Sequence, residues 1–507
     1  MKITNVIQAI DEEAVRKPQQ IAYDYLGQTH TYQDLKKYSD ALACHIAKMD
    51  LDPQAPIMVY GEQNFEMIAT FIGVVKSGHA YIPIDKHSPN ERLTMIQEIA
   101  KPAACIAVEP LPITISQIPV VTTQDLTQVF ESSIQAEWHQ KVKNEQDFYI
   151  IFTSGTTGKP KGVQISHQNL TSFVNWMLTD FGLPTSPVCL AQAPYSFDLS
   201  VMSLYPTLVS GGTLRVLPKQ VTDDFKQLFA YLPKMALNEW VSTPSFMDIC
   251  LLQPTFDAKH LPDLSHFLFC GEELTHQTAS LLKQRFPKAH IYNTYGPTET
   301  TVAVSALEIT SEVLQKYDRL PIGKSKADTT IDIVDSQGNI LPTDQEGEIV
   351  ISGPGVSKGY LNNPQKTAHA FQQIKGKLSY HSGDLGKKDV NGMLFYRGRL
   401  DFQIKLHGYR IELEEVNHYL NMQTLIKQAV AVPKYDRDHK VAQLVAYVIA
   451  KENVFKTDME LVLAIKKDLQ KMMMPYMIPN RFVFKDNLPL TANGKIDIKS
   501  IMSEVNS

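Results

Sequence analysis

Over the first hundred residues, short unbroken apolar runs alternate with stretches whose apolar positions recur every three or four residues. Ile21 to Leu26 and Thr29 to Tyr32 alternate around Gly27 as a hairpin does. Thr31-Tyr-Gln-Asp-Leu35 then opens a stretch with Leu35, Tyr38, Leu42 and Ile46 on one face, which predicts an amphipathic helix. Pro56 to Tyr60 predicts a strand, Asn64 to Ser77 a helix stopped at Gly78, and Ala80 to Ile84 the next strand. That rhythm belongs to parallel sheets covered by helices. It continues with Cys105 to Val108, with a helix from Ser166 to Thr179, and with strand ends at Trp240 to Pro244 and Phe267 to Glu273. From Pro321 to Gly359 the pattern changes to short strands separated by glycine turns, among which Gly353, Gly355 and Gly359 read as structural. The last hundred residues predict a compact α+β unit. They carry a helix from Glu412 to Leu420, strands at Ala429 to Val432 and Leu444 to Ala450, and a helix opened by the capping box Thr457-Asp-Met-Glu460.

Composition narrows the function classes. With 507 residues, 43% apolar and 20% charged, the chain is an ordinary globular protein of about two to four domains. A net charge of −5 gives no basic stripe for nucleic acid. The five cysteines, Cys44, Cys105, Cys189, Cys250 and Cys270, are too dispersed for a zinc knuckle or a disulfide framework. Met1 to Pro18 carries Asp11, Glu12 and Glu13 and lacks a signal-peptide core, and the apolar window Met67 to Val75 is too short to span a bilayer before Lys76. The expectation is a cytoplasmic protein without membrane insertion.

The chemistry concentrates at Tyr149 to Gly162. Four apolar residues stop at Thr153 and give way to hydroxyl residues, glycines and two lysines. Thr153, Ser154, Thr156 and Thr157 offer donors, Lys159 and Lys161 add charge, and Gly155 and Gly158 are expected to take positive φ and approach a ligand closely. A triphosphate suits that composition. The spacing is not that of the common ATPase loop, because two residues separate the glycines and Pro160 follows Lys159, so a mobile flap between strands is expected.

Thr153-Ser-Gly-Thr-Thr-Gly-Lys-Pro-Lys-Gly162 closely resembles the phosphate loop of the adenylate-forming superfamily, which includes acyl-CoA synthetases, luciferases and peptide-synthetase adenylation domains. Asn293-Thr-Tyr-Gly-Pro-Thr-Glu-Thr300 and Leu488-Pro-Leu-Thr-Ala-Asn-Gly-Lys-Ile-Asp497 extend the resemblance over nearly the whole chain. It implies an α/β fold. A large N-terminal ATP- and substrate-binding domain, residues 1–400, would combine parallel and mixed sheets, helices and a small barrel-like subdomain. A small mobile α+β lid, residues 401–507, would swing on a hinge at Asp401.

The resemblance also implies roles. ATP would be held by Thr153, Ser154, Gly155, Thr156, Thr157, Gly158 and Lys159, by Asn293, Thr294, Tyr295, Gly296, Pro297 and Thr298, and by Asp384, Tyr396, Arg397, Gly398, Arg399 and Lys495. Tyr295 would stack on the purine, Asp384, read as the end of a strand, would accept the ribose hydroxyls, and Thr298 with Glu299 would present oxygen to Mg²⁺. Lys495, Glu299 and Arg399 would be the catalytic groups, and Gly408 would leave room for an approaching thiol. Asp198, the one charge in an apolar run, is a helix N-cap by its residue type, whereas the resemblance makes it the acceptor of a substrate α-ammonium. Cys270 alone reads as a packed core thiol; by resemblance it is a pocket wall with Leu199, Met202 and Val302, and Lys495 also faces the substrate carboxylate. Within the family the strings look most like members that activate D-alanine and load it onto the phosphopantetheine of a D-alanyl carrier protein for lipoteichoic acid biosynthesis. Another amino-acid adenylating enzyme, a short-acid acyl-CoA synthetase, and a non-catalytic nucleotide sensor or carrier-binding scaffold remain alternatives.

Overall fold

The computed structural model describes residues 2–132, 141–155, 159–437, 440–489 and 496–506. Among these the strands form five sheets, of nine, six, five, three and two strands. Contacts group Met1–Lys86, Ala100–Ile151 and Gly162–Gly398 as one unit, and His87–Ile99, Phe152–Lys161 and Arg399–Ser507 as a second. Residues 87–99 and the start of the phosphate loop belong to the second unit. They group with the C-terminal residues because Met95 packs on the apolar cluster that includes Ile404, Val416 and Tyr419, and because Ser154 donates to the Arg410 carbonyl at 2.9 Å.

In the larger unit the nine-stranded sheet has a parallel centre. His290–Tyr295, His266–Phe269, Glu239–Ser242, Val188–Ala191, Thr213–Val216 and Ile21–Tyr25 lie side by side in that order, with antiparallel strands at both edges. The predicted hairpin is one of those edges: Ile21–Tyr25 pairs with Gln28–Thr31 across Leu26 and Gly27, whose φ values are 52° and 93°. Helix Tyr32–Ala47 follows with a capping box, Thr31 accepting from the Asp34 N–H while the Asp34 carboxylate takes the Thr31 N–H. The six-stranded sheet runs through Ile57–Gly61, Tyr81–Asp85 and Asp147–Thr153 to Lys161–Ser166, so the phosphate loop does lie between two strands.

Between strands, helix Phe65–Lys76 is buried on every side. Lys76 ends it at 0% exposure, its ammonium bonded to Asp40 at 2.6 Å, Asp11 at 2.7 Å and Ser39 at 3.0 Å, so the charge that closes the apolar window is neutralised inside the fold. Among the described residues no helix is long and apolar enough to cross a membrane.

Glu239 starts a central strand and is fully buried beside the Cys189 thiol. Burial pushes its carboxyl up from 4.5 to about 7, the thiol drawing it back only in part. Between those two values the native state keeps a proton that the unfolded chain has released, so stability falls as pH rises through that window and levels off above it. The fall is on the order of 3 kcal/mol. Denaturant melts at about pH 5 and about pH 8 should show this decline in the native protein and a flatter profile in Glu239→Gln; parallel profiles would contradict it.

Candidate active site

Three stretches singled out in the sequence follow the carboxyl ends of parallel strands in the nine-stranded sheet. Asp198 comes after Val188–Ala191, Cys270 directly after His266–Phe269, and Gly296 to Glu299 directly after His290–Tyr295. Loops at that end of an α/β sheet are where ligands bind. The turn after Tyr295 is tight enough that a Cβ on Gly296 would stand 2.6 Å from the Ala303 Cα, which accounts for the glycine. Pro297 then caps a single 3₁₀ turn, Thr298–Thr300, and the chain leaves through Thr301 and Val302 at φ 64° and 66°. Left-handed backbone is costly for two consecutive β-branched residues, and such strain clusters at functional sites.

The 3₁₀ turn holds Glu299 at 0% exposure, its carboxylate accepting the Tyr360 hydroxyl at 2.9 Å. No group of three His, Cys, Asp or Glu able to hold a metal is found among the described residues. A buried carboxylate that follows buried Thr298 in the chain suits Mg²⁺, a hard cation that takes one or two protein oxygens and completes its shell from substrate phosphates and water.

Asp384 is not at a strand end. It lies within the long strand Lys377–Lys388, in a bulge where Glu348 pairs with Leu385 but Val350 with His381. Gly383, at φ 67°, makes the bulge possible, and the Glu348 carboxylate pins it by accepting from the Gly383 N–H at 2.9 Å. The bulge brings Asp384 to the Tyr295 hydroxyl, 2.5 Å away. Burial first, and then the Asp384 charge, raise the Tyr295 phenol well above its ordinary value, so Tyr295 remains the donor. The Tyr396 ring lies 6.4 Å from that of Tyr295. Asn293 and Thr294 donate their side chains to the Pro321 and Phe269 carbonyls at 2.8 Å, acting as braces for the turn. Arg397 is exposed and pairs with Glu346 at 3.1 Å.

Asp198 precedes helix Leu199–Val209 with helical backbone angles and makes no side-chain cap bond. The plain N-cap role is therefore not the one it plays. Its charge raises the phenol of fully buried Tyr149, an effect second only to burial. Leu199, Met202, Cys270 and Val302 are all buried in one apolar cluster, and the Cys270 thiol points at the Val302 carbonyl, 3.6 Å away.

In the smaller unit, Gly155 is not in the left-handed region; it is a glycine because a Cβ would run into the Lys159 carbonyl. Its N–H donates to the Glu415 carboxylate at 3.1 Å, and Lys161 faces Glu412 at 3.8 Å. A side-chain carboxylate thus occupies a donor suited to phosphate. Burial pushes both Glu412 and Glu415 above the usual carboxylate range, with Arg410 opposing it at Glu412 and Arg92 at Glu415. The Thr153 hydroxyl is buried without a hydrogen-bond partner among the described residues. Lys159 is exposed, and Thr156, Thr157, Gly158 and Lys495 lie outside the described residues.

Arg399 grips Asp401 with two bonds, of 2.9 and 2.6 Å. Burial raises the Asp401 carboxyl, but the guanidinium outweighs it and the net shift is downward. Gly408 lies in the two-residue turn joining Gln403–Leu406 to Tyr409–Glu412, where His407 and Gly408 take φ 52° and 82°. That turn alone requires a residue at ease with positive φ. Tyr360, Glu412 and Glu415 were not marked out by the sequence, since nothing local to Gly359-Tyr360 or to an acidic helix start announces a partner far along the chain.

Residues 10–361 match the AMP-binding enzyme family and residues 415–495 the AMP-binding enzyme C-terminal domain. The chain is 63% identical to the D-alanine--D-alanyl carrier protein ligase of Lactiplantibacillus plantarum, covering 99% of each. It is 57% identical to the ligase of the same name from Lacticaseibacillus casei, covering 99% of this chain and all of that one. In fold it resembles the Vibrio cholerae adenylation domain AlmE, solved with glycyl-adenosine-5′-phosphate, at a TM-score of 0.80 and 24% identity over 100% and 98% of the two chains.

Proposed function

The chain belongs to the AMP-binding enzyme family, and from that premise we propose that it is an ATP-dependent ligase acting on D-alanine and a D-alanyl carrier protein. It forms D-alanyl adenylate and passes the acyl group to the carrier's phosphopantetheine thiol, as the opening step of teichoic acid D-alanylation in the cytoplasm. The full-length likeness to ligases of that name carries this reading. Asp198, which starts helix Leu199–Val209 without capping it, and the apolar cluster that includes Leu199, Met202, Cys270 and Val302 support an amino-acid substrate with a small side chain.

In the first step a carboxylate oxygen of D-alanine bonds to the α-phosphorus of ATP and the bond to the β-phosphate oxygen breaks, releasing pyrophosphate. Asp198 receives the α-ammonium, and Leu199, Met202, Cys270 and Val302 close around the methyl. Tyr295 packs on adenine, and Asp384, fixed in its bulge, accepts the ribose hydroxyls. Thr153, Ser154 and the loop N–H groups bind phosphate oxygens once Glu415 gives up the Gly155 N–H. Glu299 and Thr298 would hold Mg²⁺, whose charge offsets that of the departing pyrophosphate. Lys495 supplies the cation that lets one anion approach another. In the second step the thiol sulfur bonds to the acyl carbon, AMP leaves, and the thiol proton goes to solvent.

Pyrophosphate exchange with D-alanine, L-alanine, glycine and acetate tests the reading. D-alanine should give the largest rate. Exchange with acetate as fast as with D-alanine would point to an acyl-CoA synthetase, and none with any acid to a non-catalytic binding protein.

A further inference from the structure

Glu299 is held by a residue that the reaction scheme above does not use. The Tyr360 hydroxyl donates to Glu299 Oε1 at 2.9 Å, and Tyr360 is itself only 5% exposed. Three independent contacts fix the tyrosine. Its N–H donates to the Thr367 hydroxyl at 3.0 Å, its ring stands edge-on to Phe371 with centroids 5.5 Å apart, and its backbone bridges Val163. That bridge belongs to a short ladder in which the Gln164 N–H donates to the Gly359 carbonyl at 3.1 Å and the Leu361 N–H to the Gly162 carbonyl at 2.8 Å. The same segment also takes hold of the Glu299 backbone, the Ser357 N–H donating to its carbonyl at 2.9 Å. Glu299 is therefore gripped at main chain and side chain by residues 357–360, which are themselves laced to the strand leaving the phosphate loop.

We propose that Tyr360 is a positioning residue for the metal-bearing carboxylate: by donating to Oε1 it fixes the rotation of the Glu299 carboxyl group and directs its ligation of Mg²⁺. The physical reason is the usual one for groups behind a metal ligand. A buried carboxylate on a one-turn helix has rotational freedom that must be lost on binding the cation, and a fixed hydroxyl removes that freedom beforehand. Through the ladder to Gly162, displacement of the strand that leaves the phosphate loop reaches Glu299 by the Tyr360 hydroxyl and by the Ser357 N–H. This rests on the reading of Glu299 as the Mg²⁺ ligand.

The test compares the full-length native protein with Tyr360→Phe and Glu299→Gln, using Mn²⁺ as the probe. Its binding in the presence of ATP is followed by electron paramagnetic resonance, and the Mg²⁺ dependence and D-alanine KM of pyrophosphate exchange are measured alongside. Tyr360→Phe keeps the ring and its contact with Phe371, and a melting temperature close to native establishes that it folds. Metal affinity is expected to fall by roughly ten- to a hundred-fold in Tyr360→Phe, with the rate restored at high Mg²⁺ and the D-alanine KM unchanged. Native Mn²⁺ affinity in Tyr360→Phe, alongside weakened binding in Glu299→Gln, would overturn the proposal while sparing Glu299. Native affinity in both variants would overturn the proposal together with the assignment of Glu299.

Discussion

Lys495→Ala is expected to slow pyrophosphate exchange with D-alanine by about three orders of magnitude and to leave acyl transfer from preformed D-alanyl adenylate within a few-fold of native. The argument is electrostatic. A carboxylate must approach a triphosphate, and at about 4 Å with an effective dielectric near 20 one unit charge is worth roughly 4 kcal/mol. Without an ammonium to offset it, that repulsion falls on the first transition state, where two anionic groups meet. The second step joins a thiol to an adenylate whose phosphate has already lost its pyrophosphate, so it makes no such demand. Single-turnover assays of the two half-reactions separate the cases, and equal losses in both would rule out this role for Lys495.

The second large effect is expected at Asp198. Asp198→Ala should lower kcat/KM for D-alanine by about 30- to several-thousand-fold, corresponding to about 2–5 kcal/mol for removing one partner of a desolvated charge pair. The KM for ATP should stay near native. The expectation rests on the helix Leu199–Val209 beginning without a side-chain cap from Asp198, so that removing the carboxylate takes away little helix stability. Propionate, which has the methyl but no ammonium, provides the control. If Asp198 serves the ammonium, the native protein and the variant should handle propionate alike. An equal loss with propionate, or a rise in the ATP KM matching that for D-alanine, would sink the assignment.

Local elements were legible because their determinants lie within a few residues of one another. Ser166 accepts from the Asn169 N–H and starts its helix where the pattern predicts, as does the Thr31 and Asp34 box. The run Tyr149 to Phe152 is a buried strand that ends at Thr153. The misread positions share a different cause. Gly155 reads as a positive-φ glycine, but a carbonyl four residues on dictates it by steric exclusion. Asp384 reads as the end of a strand because a bulge has no periodicity of its own; it depends on how Glu348 and Val350 register with the neighbouring strand. Gly408 is a different case: it takes φ 82° in its turn, a requirement that stands beside the thiol-access role the resemblance implies.

By itself the sequence determined the chemical inventory: a hydroxyl- and glycine-rich phosphate loop, an acid-bearing turn at Glu299, an isolated Asp198 and a terminal Lys495, on an α/β chain with a small α+β unit at its end. Side-chain type and spacing suffice for that, since hydrogen-bonding capacity, charge and helix or strand period are properties of residues and their near neighbours. Only the tertiary structure decided what holds those groups. Tyr360 on Glu299, Asp384 on the Tyr295 hydroxyl and Glu415 on the Gly155 N–H join residues 61, 89 and 260 positions apart. Such pairings carry no local signature, because the free energy that selects them comes from burying polar groups that must then find partners wherever the folded chain brings them.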